Sequence, residues 1–345
     1  MTRIIAISLF SGCGGLDIGC HMANIPVVSS LDFDADCVET LKLNKTFKNS
    51  KIFHEDISKV SSQEYKKILS DLKYDKLIII GGPPCQPFSK AGYWIGNKKR
   101  KIERDPRNMI GEYLRMISEL RPDGFLFENV ESMLHPTNKK VVELLIKSIK
   151  KLNYNYKLIH ANSLDYGVPQ KRKRIFIIGS KNIFKKDEPK KTHGPIEVKN
   201  KGIRRYESVG KFISKFNKPD FFEREELTIN GTYGKELNQI SPGKNYIELA
   251  KKGNSKFVAG KRFWSFLLKL HPNLPSWTIA AQPGPWVGPF HWSGRRLRVP
   301  EIAAIQTFPE NYKFYGSRRS IQKQIGNAVP PHLGKVMIEF LKENL

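Results

Sequence analysis

The first half of the chain alternates short apolar runs with amphipathic stretches, and no other feature restricts the fold as strongly. Runs at Ile4 to Phe10, Pro26 to Asp32, Leu77 to Ile80, Gly124 to Phe127, Leu158 to Ala161 and Arg174 to Gly179 read as buried strands. The segments between them read as helices. Arg107 to Leu120 and Lys139 to Leu152 space their apolar residues along one helical face, and Ser61-Ser62-Gln63-Glu64 is a capping box that starts another helix. Strands and helices in alternation give the α/β class, a parallel sheet covered by helices. After Gly179 the pattern breaks. Residues 181 to about 290 are lysine-rich and irregular, dotted with glycine, proline and aromatics, and they predict a second, smaller, β-rich domain without internal repeats. Order returns near Arg295. A helix is expected over Glu301 to Thr307, and a last one from about Pro331 to Glu343 that can rejoin the first domain.

Bulk properties narrow the partners. A chain of 345 residues is long enough for about two domains. Its 59 lysines and arginines against 33 acids leave a net charge of +26, a surplus that suits a polyanion, most simply nucleic acid. Charge alone carries no sequence specificity. The four cysteines, Cys13, Cys20, Cys37 and Cys85, form no Cys-x-x-Cys pair and no zinc spacing, so neither a disulfide framework nor a metal site is expected. The opening residues run straight into a strand pattern without a signal peptide, and no apolar run approaches the roughly 20 residues that span a bilayer. These features predict a cytoplasmic protein that does not contact a membrane.

Residues 81 to 89 read Gly-Gly-Pro-Pro-Cys-Gln-Pro-Phe-Ser directly after the run Leu77 to Ile80. A cysteine is thus placed where a buried strand empties into a loop, the position at which open α/β sheets carry their reactive groups. Prolines on both sides hold the thiol in one place. A small buried cysteine in a tight turn is the alternative. Phe10-Ser11-Gly12-Cys13-Gly14-Gly15-Leu16-Asp17 follows the first strand, and its glycines let backbone approach a ligand closely. The spacing matches neither the dinucleotide fingerprint nor the phosphate loop, which argues against a dehydrogenase or NTPase. Asp32 ends the second strand, where an acid can accept from both hydroxyls of a ribose, and Phe33 can stack on an adenine. Asp56, beside Ile57, is placed to accept from an adenine amino group, or else to cap a helix. Glu128, in Phe127-Glu128-Asn129-Val130, ends another strand on the rim that holds Cys85, as a general acid or substrate anchor. Arg172 and Arg174 alternate on an extended segment and would face one side, for a phosphate or a carbonyl oxygen.

Taken in order, these segments closely resemble the DNA cytosine-5 methyltransferase family, particularly its bacterial restriction–modification members. The landmarks are Phe10 to Gly15, Gly82-Pro83-Pro84-Cys85-Gln86-Pro87, Glu128-Asn129-Val130, Gln170-Lys171-Arg172-Lys173-Arg174, Arg296-Leu297-Arg298-Val299-Pro300-Glu301-Ile302 and Gln324-Ile325-Gly326-Asn327-Ala328-Val329. They cover nearly the whole chain except residues 181 to about 290. The resemblance implies a Rossmann-like S-adenosylmethionine-dependent fold. Residues 1–180 would be the catalytic and cofactor-binding domain, 181–294 the target-recognition domain, 295–321 a hinge and 322–345 a segment rejoining the first domain. Phe10, Ser11, Gly12, Gly14, Gly15 and Leu16 would line S-adenosylmethionine. Asp32 would hold its ribose, where the family more often has glutamate, and Phe33, Asp56 and Ile57 its adenine. Pro83, Asn327 and Val329 would complete the pocket, with no metal.

The implied chemistry accounts for the residue types. Carbon 5 of cytosine is a poor nucleophile until a soft nucleophile adds at carbon 6, and Cys85 as thiolate fits that role. Glu128 would hold ring nitrogen 3 and the exocyclic amine, Arg174 the ring carbonyl oxygen, and Arg172 the site or a phosphate. The base would have to flip out of the duplex. The basic stretch Gln86 to Arg107 would close as a catalytic loop. Trp264, Trp277, Trp286 and Trp292 can be core or contact residues. The partners implied are double-stranded DNA and a functionally paired restriction endonuclease without a stable complex, with the enzyme a monomer. Two alternatives are the same chemistry on tRNA and a catalytically silent DNA-binding regulator. Against the first, no cysteine follows Cys85; against the second, Cys85, Glu128 and Arg174 are intact.

Overall fold

The computed structural model describes residues 2–84, 109–195, 202–221 and 231–345. Cys85, the expected catalytic loop and the first residues of the helix expected at Arg107 lie outside the described residues.

Seven strands form the central sheet: β1 (Ile4–Leu9), β2 (Val27–Asp32), β3 (Lys51–His54), β4 (Lys76–Gly81), β5 (Gly124–Val130), β6 (Asn155–Asn162) and β7 (Lys173–Ser180). Their order is β3-β2-β1-β4-β5-β7-β6. All neighbours are parallel except β7, which runs antiparallel to both β5 and β6. Side chains alternate between two cores, as the two-residue period of a strand requires. Ile5, Ile7, Leu9, Ile79, Phe125, Phe127, Ile175 and Ile177 face one side. Ile4, Ala6, Ile78, Ile80, Leu126, Phe176 and Ile178 face the other. Burial on both faces explains why these strands read as continuous apolar runs. The short edge strand β3 was not legible that way, because its terminal residues Lys51 and His54 are exposed.

Helices α1 (Gly15–Met22), α2 (Ala35–Lys42), α3 (Ser62–Ser70), α4 (Met109–Leu120) and α5 (Lys139–Lys151) connect the strands. Ser61 caps α3 by accepting from the Gln63 amide. On the first face Tyr65, Tyr113, Ile117 and Leu145 from these helices close the core. The last helix of the chain, α11 (Pro331–Lys342), covers the second face beside α1 with Leu333, Met337 and Ile338. A Cβ at Gly19 would lie 2.8 Å from the Gly334 carbonyl carbon, so the two helices meet at backbone distance. The end of the chain therefore packs against α1, the helix that opens at Gly15.

The second region departs from its expected strand content. Among its described residues the only ladder joins β8 (His193–Gly194) to β9 (Arg204–Arg205), with isolated bridges such as Phe266 to Val287. Short helices α6 (Val209–Ile213), α7 (Gly234–Gln239) and α8 (Tyr246–Lys251) supply the rest. Proline and glycine spacing in Pro283-Gly284-Pro285-Trp286-Val287-Gly288-Pro289 removes the donors and regular backbone a ladder needs. An aromatic cluster of Tyr233, Tyr246, Phe257, Phe266 and Trp286 holds these loops in place of a sheet.

Helices α9 (Val299–Ile305) and α10 (Arg318–Asn327) lead back to the sheet. Buried Glu301 accepts from the Arg298 amide at 2.8 Å and from both Arg295 nitrogens at 2.8 and 2.7 Å. Together with Ile302, Ile305 and Ile325 this stretch shares a core with Cys13, Ile18 and Leu41 of the first region and Val209 and Ile213 of the second.

Candidate active site

The strand order reverses direction between β1 and β4. Loops leaving the carboxyl ends of these strands diverge there and open a crevice, the usual ligand position in an open α/β sheet. The loop after β1 is Phe10 to Gly14, and the loop after β4 leads to Pro83 and Pro84.

The β1 loop is tightly wound. Phe10 and Gly12 have φ of 56° and 55°, and the Gly12 amide donates to Asp32 Oδ2 at 2.7 Å. Asp32 Oδ1 accepts from the Asp34 amide at 2.9 Å. The carboxylate at the end of β2 thus holds the glycine loop at the end of β1, and burial raises its pKa. Gly14 has φ 80°, and a Cβ there would meet the Phe47 ring at 2.7 Å. At Gly15 a Cβ would lie 2.2 Å from the Val329 carbonyl oxygen. Only glycine lets the first turn of α1 reach Val329, so the glycine motif after β1 and the segment at Val329 meet through it. Leu16 is buried beneath, and Asn327 is exposed at the rim. The Phe33 ring, next to Asp32, is 74% exposed. Asp56 spends one carboxylate oxygen on the amide and hydroxyl of Ser58, at 2.9 and 2.8 Å, capping the turn that holds buried Ile57.

Asp17 is a feature that sequence reasoning missed. It is fully buried and accepts from Ser8 Oγ at 2.9 Å and Ser30 Oγ at 2.7 Å, which ties β1, β2 and α1 together. Burial pushes its carboxyl up to about 6 against the pull of those two hydroxyls. In the sequence it reads as an ordinary acid of a helix first turn.

On the other wall, β5 delivers Glu128 and Asn129. Because β7 is antiparallel, its first residues reach the rim where the parallel strands end, and Arg174 pairs with Val130 in register. Arg174 Nε approaches Glu128 Oε1 at 2.9 Å, an ion pair whose alignment leaves Oε1 without a full hydrogen bond. Glu128 is buried, and desolvation raises its pKa more than Arg174 and Arg172 lower it. Asn129 Nδ2 donates to the Pro83 carbonyl at 3.0 Å, which fixes the start of the cysteine loop beside Glu128. The sequence contained Asn129 without revealing this tie.

Arg172 and Arg174 were expected to face one side. Both guanidinium groups influence the Glu128 carboxylate, but only Arg174 touches it. Arg172 is fully buried and donates to the carbonyls of Gly326 at 2.8 Å, Asn327 at 3.3 Å and Ile279 at 3.4 Å. Its guanidinium has no free face for a phosphate; it acts as a clamp. Beside it Gln170 donates to Gln306 Oε1 at 3.0 Å and accepts from the Ile279 amide at 3.0 Å, and Gln306 donates to the Ile325 carbonyl. Four segments, around residues 170–172, 279, 306 and 325–327, are locked together behind the rim.

Among the described residues no group of acidic, histidine and cysteine side chains is arranged to hold a metal ion, and no helix is long and apolar enough to cross a membrane. Comparison with known proteins agrees with the geometry. A family model described as C-5 cytosine-specific DNA methylase matches residues 4–343. The chain is 34% identical to the type II methyltransferase M.SacI of Streptomyces achromogenes, over 98% of this chain and 93% of that one. It is 31% identical to the type II methyltransferase M.NgoFVII of Neisseria gonorrhoeae, over 98% and 87%. Its fold is similar to that of the S. pombe Dnmt2 methyltransferase, with a TM-score of 0.64 at 18% identity over 99% of each chain. By the match over nearly its full length, the chain belongs to the C-5 cytosine-specific DNA methylase family and is a DNA cytosine-5 methyltransferase of the type II restriction–modification kind.

Proposed function

We propose that the enzyme methylates carbon 5 of a cytosine flipped out of a specific double-stranded DNA sequence, through a covalent adduct with Cys85, using S-adenosylmethionine. The observation that carries this reading is the meeting on one rim of the Glu128–Arg174 pair and the Pro83 carbonyl held by Asn129, two residues before Cys85.

The crevice suits the cofactor. A solvent-facing phenyl ring beside a half-buried carboxylate and open backbone at Gly12, where an added Cβ would meet nothing within 4 Å, match a purine, a ribose and a close-lying chain. Phe10, Ser11, Gly12, Gly14, Gly15 and Leu16 line the cofactor, Asp32 holds the ribose, and Phe33, Asp56 and Ile57 hold the adenine. Pro83, Asn327 and Val329 close the pocket. When bound, S-adenosylmethionine supplies an electrophilic methyl group on a positively charged sulfur.

The protein's own groups prepare the base. The Cys85 thiolate bonds to carbon 6, and the displaced electron pair moves toward ring nitrogen 3. Glu128, whose raised pKa favours the protonated acid, gives its proton to that nitrogen and accepts from the exocyclic amine. Arg174 stabilises the ring carbonyl oxygen as charge builds. Carbon 5 thereby becomes an enamine carbon able to attack. After methylation, loss of the carbon 5 proton to water re-forms the ring double bond as its electrons expel the thiolate, and the proton on ring nitrogen 3 returns to Glu128. Arg172 is a positioning residue, which keeps Arg174 and the 326–327 backbone in place.

Residues 1–180 form the catalytic domain and 181–294 the target-recognition domain, with 295–321 as hinge and 322–345 as returning segment. In the cell the enzyme acts as a cytoplasmic monomer on nucleoid DNA and protects it from a restriction endonuclease with which it makes no stable complex. The test is incubation with radiolabelled S-adenosylmethionine and, separately, duplex DNA and bulk tRNA, followed by nucleoside analysis. Label in 5-methyldeoxycytidine is the expected result. Label confined to tRNA overturns the DNA assignment.

A further inference from the structure

Two of the protein's tryptophans sit where the fold gains little from them. Trp286 packs edge-on against Tyr233 at 5.5 Å within the aromatic cluster, and Trp292 lies against His291 at 3.9 Å. Trp264 and Trp277 are instead 54% and 36% exposed, with neighbouring Phe263 at 81%. Their rings meet at 5.8 Å and 67°, forming one continuous aromatic surface. Large aromatics grouped at a surface mark a binding site more often than an accident of packing.

The pair is rigidly mounted. The Ser276 amide donates to Pro169 O at 2.8 Å, the Lys171 amide to Ser276 O at 2.8 Å, and Thr278 Oγ1 to Lys171 O at 2.7 Å. Trp277 is thereby fastened to the segment that continues through Arg172 into Arg174. Lys171 stands three residue steps before Arg174, a span of roughly 10 Å in extended chain. On the far side Asn245 Nδ2 donates to Trp264 O at 2.7 Å. Lys171 Nζ sits 5.3 Å from the Trp277 ring centroid, and Lys261 and Arg262 are exposed beside Trp264. Flat apolar rings interleaved with cations next to a base pocket match one ligand chemistry, bases joined by phosphates.

We propose that Trp264 and Trp277 form a stacking ledge for the DNA strand adjoining the extruded cytosine, with Lys171 on a phosphate of that strand. The proposal rests on the base-flipping reading above. It assigns the ledge a share of DNA affinity and of the stability of the opened duplex, and no share of cofactor binding.

The experiment uses the full chain and a duplex that the wild-type enzyme methylates, its site mapped by bisulfite sequencing and with 2-aminopurine placed beside the target cytosine. Trp264→Ala and Trp277→Ala are expected to weaken duplex binding by roughly 5- to 100-fold each, and to reduce the 2-aminopurine emission change, as loss of base–aromatic stacking does. Affinity for S-adenosylhomocysteine stays at the wild-type value, and Trp277→Phe keeps most of the DNA affinity. Lys171→Gln lowers the slope of log affinity against log salt by about one. Wild-type duplex binding in both alanine variants overturns the ledge. So does a Trp277→Ala enzyme that loses cofactor affinity together with DNA affinity, since the indole would then belong to the scaffold. Failure of the underlying reading looks different: the wild-type enzyme itself would leave the duplex unlabelled.

Discussion

The rim of the sheet and the region from residue 202 to 298 are built by opposite means. On the rim, register decides where each group stands. Glu128 sits opposite Phe176, and Val130 opposite Arg174, so strand pairing places Glu128 and Arg174 diagonally on one face, within reach of each other. In the second region no ladder longer than two residues exists among the described residues, and position is set by point fastenings such as Ser276 to Pro169 and by packed aromatic rings. The contrast teaches where each kind of substitution acts. A change on the rim alters chemistry or one buried tie while the frame persists. A change in the loops alters contact surface and leaves the rim's chemistry alone.

The sharpest way to break that contrast is Glu128→Gln. If the rim is a frame holding a few reactive groups, this nearly isosteric change should lower kcat by about 10²- to 10⁴-fold with the fold intact. Single-turnover methylation together with a thermal melt checks it, and a large loss of stability with modest loss of rate would contradict the frame. Next in size is Arg172→Ala, which strips the partner from carbonyls at Ile279, Gly326 and Asn327. Buried groups left unpaired cost about 3 kcal/mol in total, read as a shifted urea midpoint. Arg172→Lys should not restore it, because one ammonium cannot span carbonyls on two separate segments.

Asp17 gives a pH-dependent version of the same test. Its folded pKa of about 6 lies above the ordinary carboxyl value, so the folded state takes up a proton as pH falls through roughly 6 to 4. Stability therefore declines as pH rises across that window and levels off above it, by about 2–3 kcal/mol. Denaturation of Asp17→Asn beside wild type from pH 4.5 to 7 should show the slope reduced in the variant, whereas parallel curves would remove the role.

What the sequence made legible follows from the same contrast. Strands buried on both faces announce themselves as apolar runs, so β1, β2, β4, β5 and β7 could be read, and with them the rim positions of Asp32 and Glu128, whereas β6, an edge strand with one face exposed, showed only through Leu158 to Ala161. The edge strand β3 pairs on one side only and exposes both ends, so no run marks it. The division of labour between Arg172 and Arg174 was hidden for a different reason. Alternation gives a side of the chain, but whether a guanidinium turns to Glu128 or to carbonyls at 279 and 326 depends on segments more than 100 residues away. In the second region the expected strands gave way to loops because proline and glycine fix backbone angles one at a time, and the aromatic rings that hold the loops follow no period.

The smallest expected effect separates the two regions most cleanly. Phe33 and Trp277 are both exposed aromatics, one at the end of β2 and one on a loop fastened beside β7. Neither supports the core, so Phe33→Ala should leave folding stability within about 0.5 kcal/mol of wild type, as surface changes do. Loss of its stacking face should weaken S-adenosylhomocysteine binding by roughly 3- to 10-fold in calorimetry, the value of one aromatic contact. DNA affinity measured at saturating S-adenosylhomocysteine should not move. For Trp277→Ala the two readouts exchange places, with cofactor affinity kept and DNA affinity reduced. If both substitutions shifted both affinities alike, the crevice and the loop surface would be one coupled site, and the separation drawn from their construction would fail.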